Sequence, residues 1–174
     1  MNTRELVTMA LFAAIGVALH AIIPPIFFGM KPDMMLTMMF LAIILFPKAK
    51  NVLVMGIVTG LLSGLTTAFP GGLVPNLIDK PVTAFIFFFL YIAVRKFSAN
   101  TVSAAILTAI GTIVSGLVFL TAAYFIVGLP AGAGFMALFL TVVLPAVALN
   151  TIAMIFVHPI VLTIMKRSKI VSSN

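Results

Sequence analysis

From Glu5 to Met165 the chain is a succession of long apolar runs, interrupted only by short turns and by basic residues in ones and twos. The runs lie at 5–23, 33–46, 52–68, 76–94, 101–127 and 135–165. A helix rises about 1.5 Å per residue, and about 20 apolar residues cross the hydrocarbon of a bilayer, so most of these runs reach from one face to the other. Only 7% of the 174 residues are charged, too few to cover a water-soluble globule of 18.5 kDa, and a mean hydropathy of +1.34 suits a chain whose solvent is lipid. The expected fold is an all-α integral membrane protein, a compact bundle of six transmembrane helices forming one domain over 1–174. Six spans leave these residues no room for a nucleotide-binding or extramembrane catalytic domain.

The first run stops at Pro24-Pro25. It does not read as a signal peptide, because its small-residue site, Gly16-Val17-Ala18, lies inside the apolar run and Arg4 is the only basic residue ahead of it. The second run is short for a span and is framed by Pro32 and Pro47. Six crossings put Arg4, Lys48, Lys50, Arg95, Lys96, Lys166, Arg167 and Lys169 on one side and only Lys31 and Lys80 on the other, which predicts both termini in the cytoplasm. The net charge of +7 is therefore a topology signal rather than a nucleic-acid surface. The absence of cysteine removes disulfides, thiolate catalysis and thiolate metal sites.

The loops expected outside the cell hold 13 of the 22 Gly and Pro residues, among them Pro70, Gly71, Gly72, Pro75 and Pro81, whereas the inner loops hold only Pro47. Backbone-defined turns on one face suggest a shaped binding mouth. Two of the three acidic residues stand there, in Lys31-Pro32-Asp33 and in Asn76-Leu77-Ile78-Asp79-Lys80-Pro81. Each string offers a cation and an anion near a helix start, an arrangement able to hold the carboxylate and ammonium of a zwitterion or, more simply, to form a local ion pair. On this reading Lys31 or Lys80 holds a carboxylate, Asp33 or Asp79 an ammonium, and Asn76 a further polar edge. With no Trp in the chain, the rings near the mouth are Phe27, Phe28, Phe69 and Tyr124, and Asn150, deep in the last run, stands as a floor residue or an interhelical bond. His20 and His158 read as interface or packing residues, and Met34, Met35, Met38 and Met39 as core or lipid contact. Small residues recur every four positions at Ala10, Ala14 and Ala18 and at Gly56, Gly60, Gly64 and Ala68, which permits close helix approach, within the bundle for the glycines. No nucleophile elbow, zinc-binding histidine pair, phosphate loop or carboxylate dyad is present, so no enzyme activity, metal or cofactor is expected.

Particular strings carry a resemblance. Glu5-Leu6-Val7-Thr8-Met9-Ala10-Leu11-Phe12-Ala13-Ala14-Ile15-Gly16, Gly29-Met30-Lys31-Pro32-Asp33-Met34-Met35, Pro75 to Pro81 and Leu144-Pro145-Ala146-Val147-Ala148-Leu149-Asn150-Thr151-Ile152 resemble the TrpP family, bacterial tryptophan transport proteins, over nearly the whole chain. That family in turn resembles the substrate-binding S-components of energy-coupling-factor transporters. The resemblance implies tryptophan as substrate and a bacterial plasma membrane; it transfers no binding residue, so the placing of Phe27, Phe28, Phe69 or Tyr124 against the indole rests on the reading of the residues above. It also implies that Ala10, Ala14 and Ala18 contact a coupling subunit of an ATPase module, proton-coupled uptake through Asp79 being the other energy source. A vitamin-binding S-component and a non-transporting membrane scaffold are the alternative functions.

Overall fold

The computed structural model describes residues 2–22, 24, 33–130 and 133–168. Among them the chain forms α1 (Thr3–Ile22), α2 (Met34–Leu45), α3 (Ala49–Thr66), α4 (Leu73–Val94), α5 (Thr101–Ile126) and α6 (Phe135–Arg167), with a π-helical turn at Phe139–Val143 inside α6. All but α2 are long and apolar enough to cross a bilayer. Every regular element is helical, as lipid requires of a chain whose backbone groups find no water to bond.

The exception organises the rest. At 12 residues α2 is about 18 Å long, well short of the roughly 30 Å of hydrocarbon, and 11 of its residues are buried. It touches all five other helices, which contact one another in the order α1, α3, α4, α5, α6 around it. No contact joins α1 to α6 among the described residues, so the ring is open there. The second run is thus an enclosed core helix. Met35, Met38 and Met39 pack in this core, and Phe40 stacks on Phe87 of α4 with ring centroids 4.0 Å apart.

The glycine stripe of α3 does bring α3 against α4. A Cβ on Gly56 would lie 2.9 Å from Pro81 Cα, and one on Gly60 would lie 2.9 Å from the Asn76 carbonyl oxygen. The alanine stripe does the opposite: Ala10, Ala14 and Ala18 are exposed on the outer face of α1.

The two ends of the bundle differ. At one, Glu5 pairs with Lys48 at 2.5 Å and accepts from Asn51 Nδ2 at 3.0 Å, while His158 Nδ1 bonds Thr101 Oγ1 at 3.1 Å. Arg4, Lys50, Arg95, Lys96, Lys166 and Arg167 belong to the same helix ends. At the other end the starts of α2 and α4 meet the ends of α1 and α3 and the π turn of α6.

The boundaries of α4 correct the sequence expectation. Pro75 and Pro81, read as loop residues, are both helical. A proline in the first turn forfeits no intrahelical hydrogen bond, and Pro81 loses only one, on the side where Gly56 lets α3 approach. Asn76, Asp79 and Lys80 therefore stand on a helix, where backbone geometry fixes their directions. The π turn has a similar cause: Pro145 supplies no N–H and crowds the carbonyl four residues back, and the Leu144 N–H bonds the Phe139 carbonyl five residues back.

Candidate functional site

The buried stripe of α4 runs Asn76, Asp79, Lys80, Thr83, Ala84 and Phe87, at helical spacings of three and four. Its lower part is apolar and meets α2. Its upper part is charged and almost fully buried, with Asp79 at 0% and Lys80 at 3% exposure. Charges at such depth persist only when each donor and acceptor is matched.

Here the matching is nearly complete. The Lys80 ammonium reaches Asp79 Oδ2 at 2.6 Å, Asp33 Oδ2 at 2.7 Å and Ser115 Oγ at 3.3 Å, which uses its three protons. Asp79 also accepts from Ser115 Oγ at 2.7 Å and Thr83 Oγ1 at 2.8 Å. Asp33 caps the start of α2 by accepting from the Met35 N–H at 3.1 Å, and it accepts from Ser63 Oγ at 3.3 Å. His20 Nδ1, from the end of α1, lies 3.8 Å from Asp33 Oδ1. Five helices thus contribute to one cluster, and it presents two carboxylates to one ammonium.

A cavity opens beside this cluster. His20, Asp33, Ser63, Asn76, Lys80 and Ser115 form its polar side. Leu36, Phe69, Phe119, Leu120, Val142 and Val143 form an apolar side, with Thr112, Gly116, Ala146, Thr67 and Ala68 completing the lining. Phe69 and Phe119 meet edge to face, with centroids 5.3 Å apart and an interplanar angle of 82°. Gly116 holds the wall open: a Cβ there would lie 2.4 Å from Val143 Cγ1, on the π turn. The combination of buried charges and an aromatic wall accommodates a small amphipathic molecule carrying charge at one end and a ring at the other.

The residues expected from sequence fall into three groups. Asp33, Asn76, Lys80 and Phe69 line the cavity, with Asn76 Nδ2 donating to the Gly72 carbonyl at 2.8 Å. Asp79 and Asn150 do not; Asp79 lies behind Lys80, and Asn150 Nδ2 donates to Thr112 Oγ1 at 3.3 Å from behind the floor. Tyr124 is 57% exposed and packs on Phe125, away from the cavity, because it follows Ala123, the residue of that turn facing inward. Lys31, Phe27 and Phe28 lie outside the described residues. The local ion pair forms within one string, between Asp79 and Lys80, and Asp33 of the other string joins it.

His20, expected as an interface or packing residue, is buried and also lines the cavity. Ser63, Thr112, Ser115 and Phe119 had no sequence signal beyond polar or aromatic residues recurring on buried helix faces. Among the described residues no group of three or more His, Cys, Asp or Glu is arranged to hold a metal ion.

The family model for the tryptophan transporter TrpP matches residues 2–166. A probable tryptophan transport protein of Bacillus subtilis is 66% identical over 168 residues, covering 97% of this chain and 96% of its own. Proteins with the same description from Clostridium acetobutylicum and Clostridium perfringens are 48% and 43% identical, covering 87% and 97% of this chain and 88% and 97% of their own lengths. No solved structure matches the chain.

Proposed function

The chain belongs to the TrpP family of tryptophan transporters, and on that premise we propose that it takes tryptophan into the bacterial cell, capturing it in the cavity between α2, α4 and α5. The observation that carries this reading is the Asp33–Lys80 pair, 2.7 Å long, at the cavity wall beside Phe69 and Phe119. A zwitterion inserted into that pair gives its carboxylate to Lys80 and its ammonium to Asp33. Each buried charge then exchanges one partner for another of the same sign, so neither is left unpaired. Asp79, Ser115 and Thr83 hold Lys80 in place throughout. The indole lies against the two phenyl rings, whose offset geometry gives an aromatic face and edge.

In this reading the cavity end faces outward and both termini are cytoplasmic, in keeping with the gathering of basic side chains at the opposite end. Energy comes from a coupling subunit and ATPases docked on the outer face of α1, where Ala10, Ala14 and Ala18 are free to receive another helix at close range. No chemistry is performed on the substrate.

The test uses the absence of Trp from the chain. Excited where tyrosine does not absorb, tryptophan emits without background from the protein, so the shift of its emission on titration with purified protein in detergent reads binding. Binding of tryptophan, together with radiolabelled uptake that requires the gene and is competed by unlabelled tryptophan, supports the proposal. Uptake competed instead by a vitamin, or no binding and no gene-dependent uptake, refutes it.

A further inference from the structure

Below the cavity, α5 and α6 carry a polar pair that the zwitterion does not use. Thr112 lines the cavity floor, and its hydroxyl donates to the Thr108 carbonyl at 2.8 Å. With its one proton spent, Thr112 Oγ1 is an acceptor toward everything else, and Asn150 Nδ2 fills one of its acceptor positions at 3.3 Å. That assignment turns Asn150 Oδ1 the other way. Asn150 is 0% exposed, and among the described residues Oδ1 has no hydrogen-bond partner. Asn150 stands one helical turn beyond Ala146, which lines the cavity, so the two share a face of α6. The floor therefore presents a second acceptor position on Thr112, whose own proton is spent, with Asn150 behind it and outside the cavity lining. A buried acceptor without a donor is costly, and a cavity ligand bearing an N–H removes that cost.

We infer that Thr112 Oγ1, held from behind by Asn150 Nδ2, is the acceptor for the indole N–H, and that this floor sets the preference for tryptophan over aromatic amino acids whose rings carry no donor. The inference rests on the reading of the cavity as a tryptophan site and adds the group that recognises its ring nitrogen. A site built around a substrate N–H discriminates strongly against analogues that lack it, because they leave the acceptors unpaired.

The probe is 3-benzothienylalanine, in which sulfur replaces the indole N–H at nearly the same ring shape. Wild-type protein in detergent is expected to bind tryptophan at least tenfold more tightly than this analogue, and phenylalanine more weakly still. Thr112→Val and Asn150→Leu are expected to weaken tryptophan until the two affinities agree within about threefold, with the analogue's own affinity changing by less than about threefold. Thr112→Ser, which keeps the oxygen, is expected to restore the preference. Equal wild-type affinities, or a preference that survives in both Thr112→Val and Asn150→Leu, overturn the inference while leaving the tryptophan site intact. Wild-type protein that binds neither ligand overturns the site and the inference together. Should both variants fail to fold, the wild-type comparison alone decides.

Discussion

Asp33 caps the start of α2 and Lys80 stands on α4, and their side chains meet at 2.7 Å in a wall where the lysine is 3% exposed. The pair joins the enclosed central helix to the ring around it, beside the cavity. It is at once a structural tie and, in the proposed function, the receptor for a zwitterion.

Charge removal at this pair separates the two roles. Removing one member of a desolvated charged contact costs about 2–5 kcal/mol, at least a tenfold loss of affinity. Asp33→Asn is expected to weaken tryptophan more than indole-3-propionate, which lacks the ammonium. Lys80→Gln is expected to weaken tryptophan more than tryptamine, which lacks the carboxylate. Asp79→Asn, behind the lysine, is expected to weaken ligands bearing the carboxylate through loss of Lys80 positioning. Titration of each variant with the three ligands is the measurement, and parallel losses for all three would place the ligand away from these charges.

The ring wall yields a contrast within one residue class. Phe69→Ala and Phe119→Ala each remove one partner of an edge-to-face pair at the cavity. Such ring contacts are worth about 0.5–1.5 kcal/mol beyond burial, so affinity is expected to fall several-fold or more. Tyr124→Ala, on the outer surface, is expected to leave affinity within about twofold.

The contact of α3 with α4 tolerates no side chain at Gly60. A methyl group there would lie 2.9 Å from the Asn76 backbone oxygen, which sits on a helix and has little room to give. Gly60→Ala is expected to destabilise the protein by about 1–3 kcal/mol, read as a lower unfolding temperature in detergent. It is also expected to weaken tryptophan, because displacing α4 moves Lys80.

On the outer face of α1 the expectation is reversed. Ala14→Leu adds bulk at an exposed position of α1, so stability and tryptophan binding are expected to stay near wild type while uptake is lost. Loss of binding as well would contradict the exposed placement of the stripe, and normal uptake would remove a helix partner from α1.

Much of the bundle was legible because lipid enforces a simple rule: apolar run, then turn, then apolar run. The long helices appear close to the expected runs, and Asp33, Asn76, Lys80 and Phe69 do meet at one cavity. Two things were hidden. Pro75 and Pro81 carry the same local signal whether they end a helix or sit where its hydrogen bonds can be spared, so α4 looked like a loop at its start. Ser63 and Ser115 look like ordinary helix residues, and what makes them matter is the nearness of Asp33 and Asp79, which only the packing of four helices determines. The approach of His20 to Asp33 was hidden for a related reason, since His20 ends one helix and Asp33 caps the next.

The brevity of α2 bears on what holds it in place. A helix of 12 residues, about 18 Å long, is too short to span the hydrocarbon and takes its depth from the helices packed around it. Asp33 caps the leading end of that helix, so its contact with Lys80 fastens α2 to α4. In the proposed function a ligand inserted at that contact exchanges a bond between the two helices for bonds to itself, and becomes the link between them.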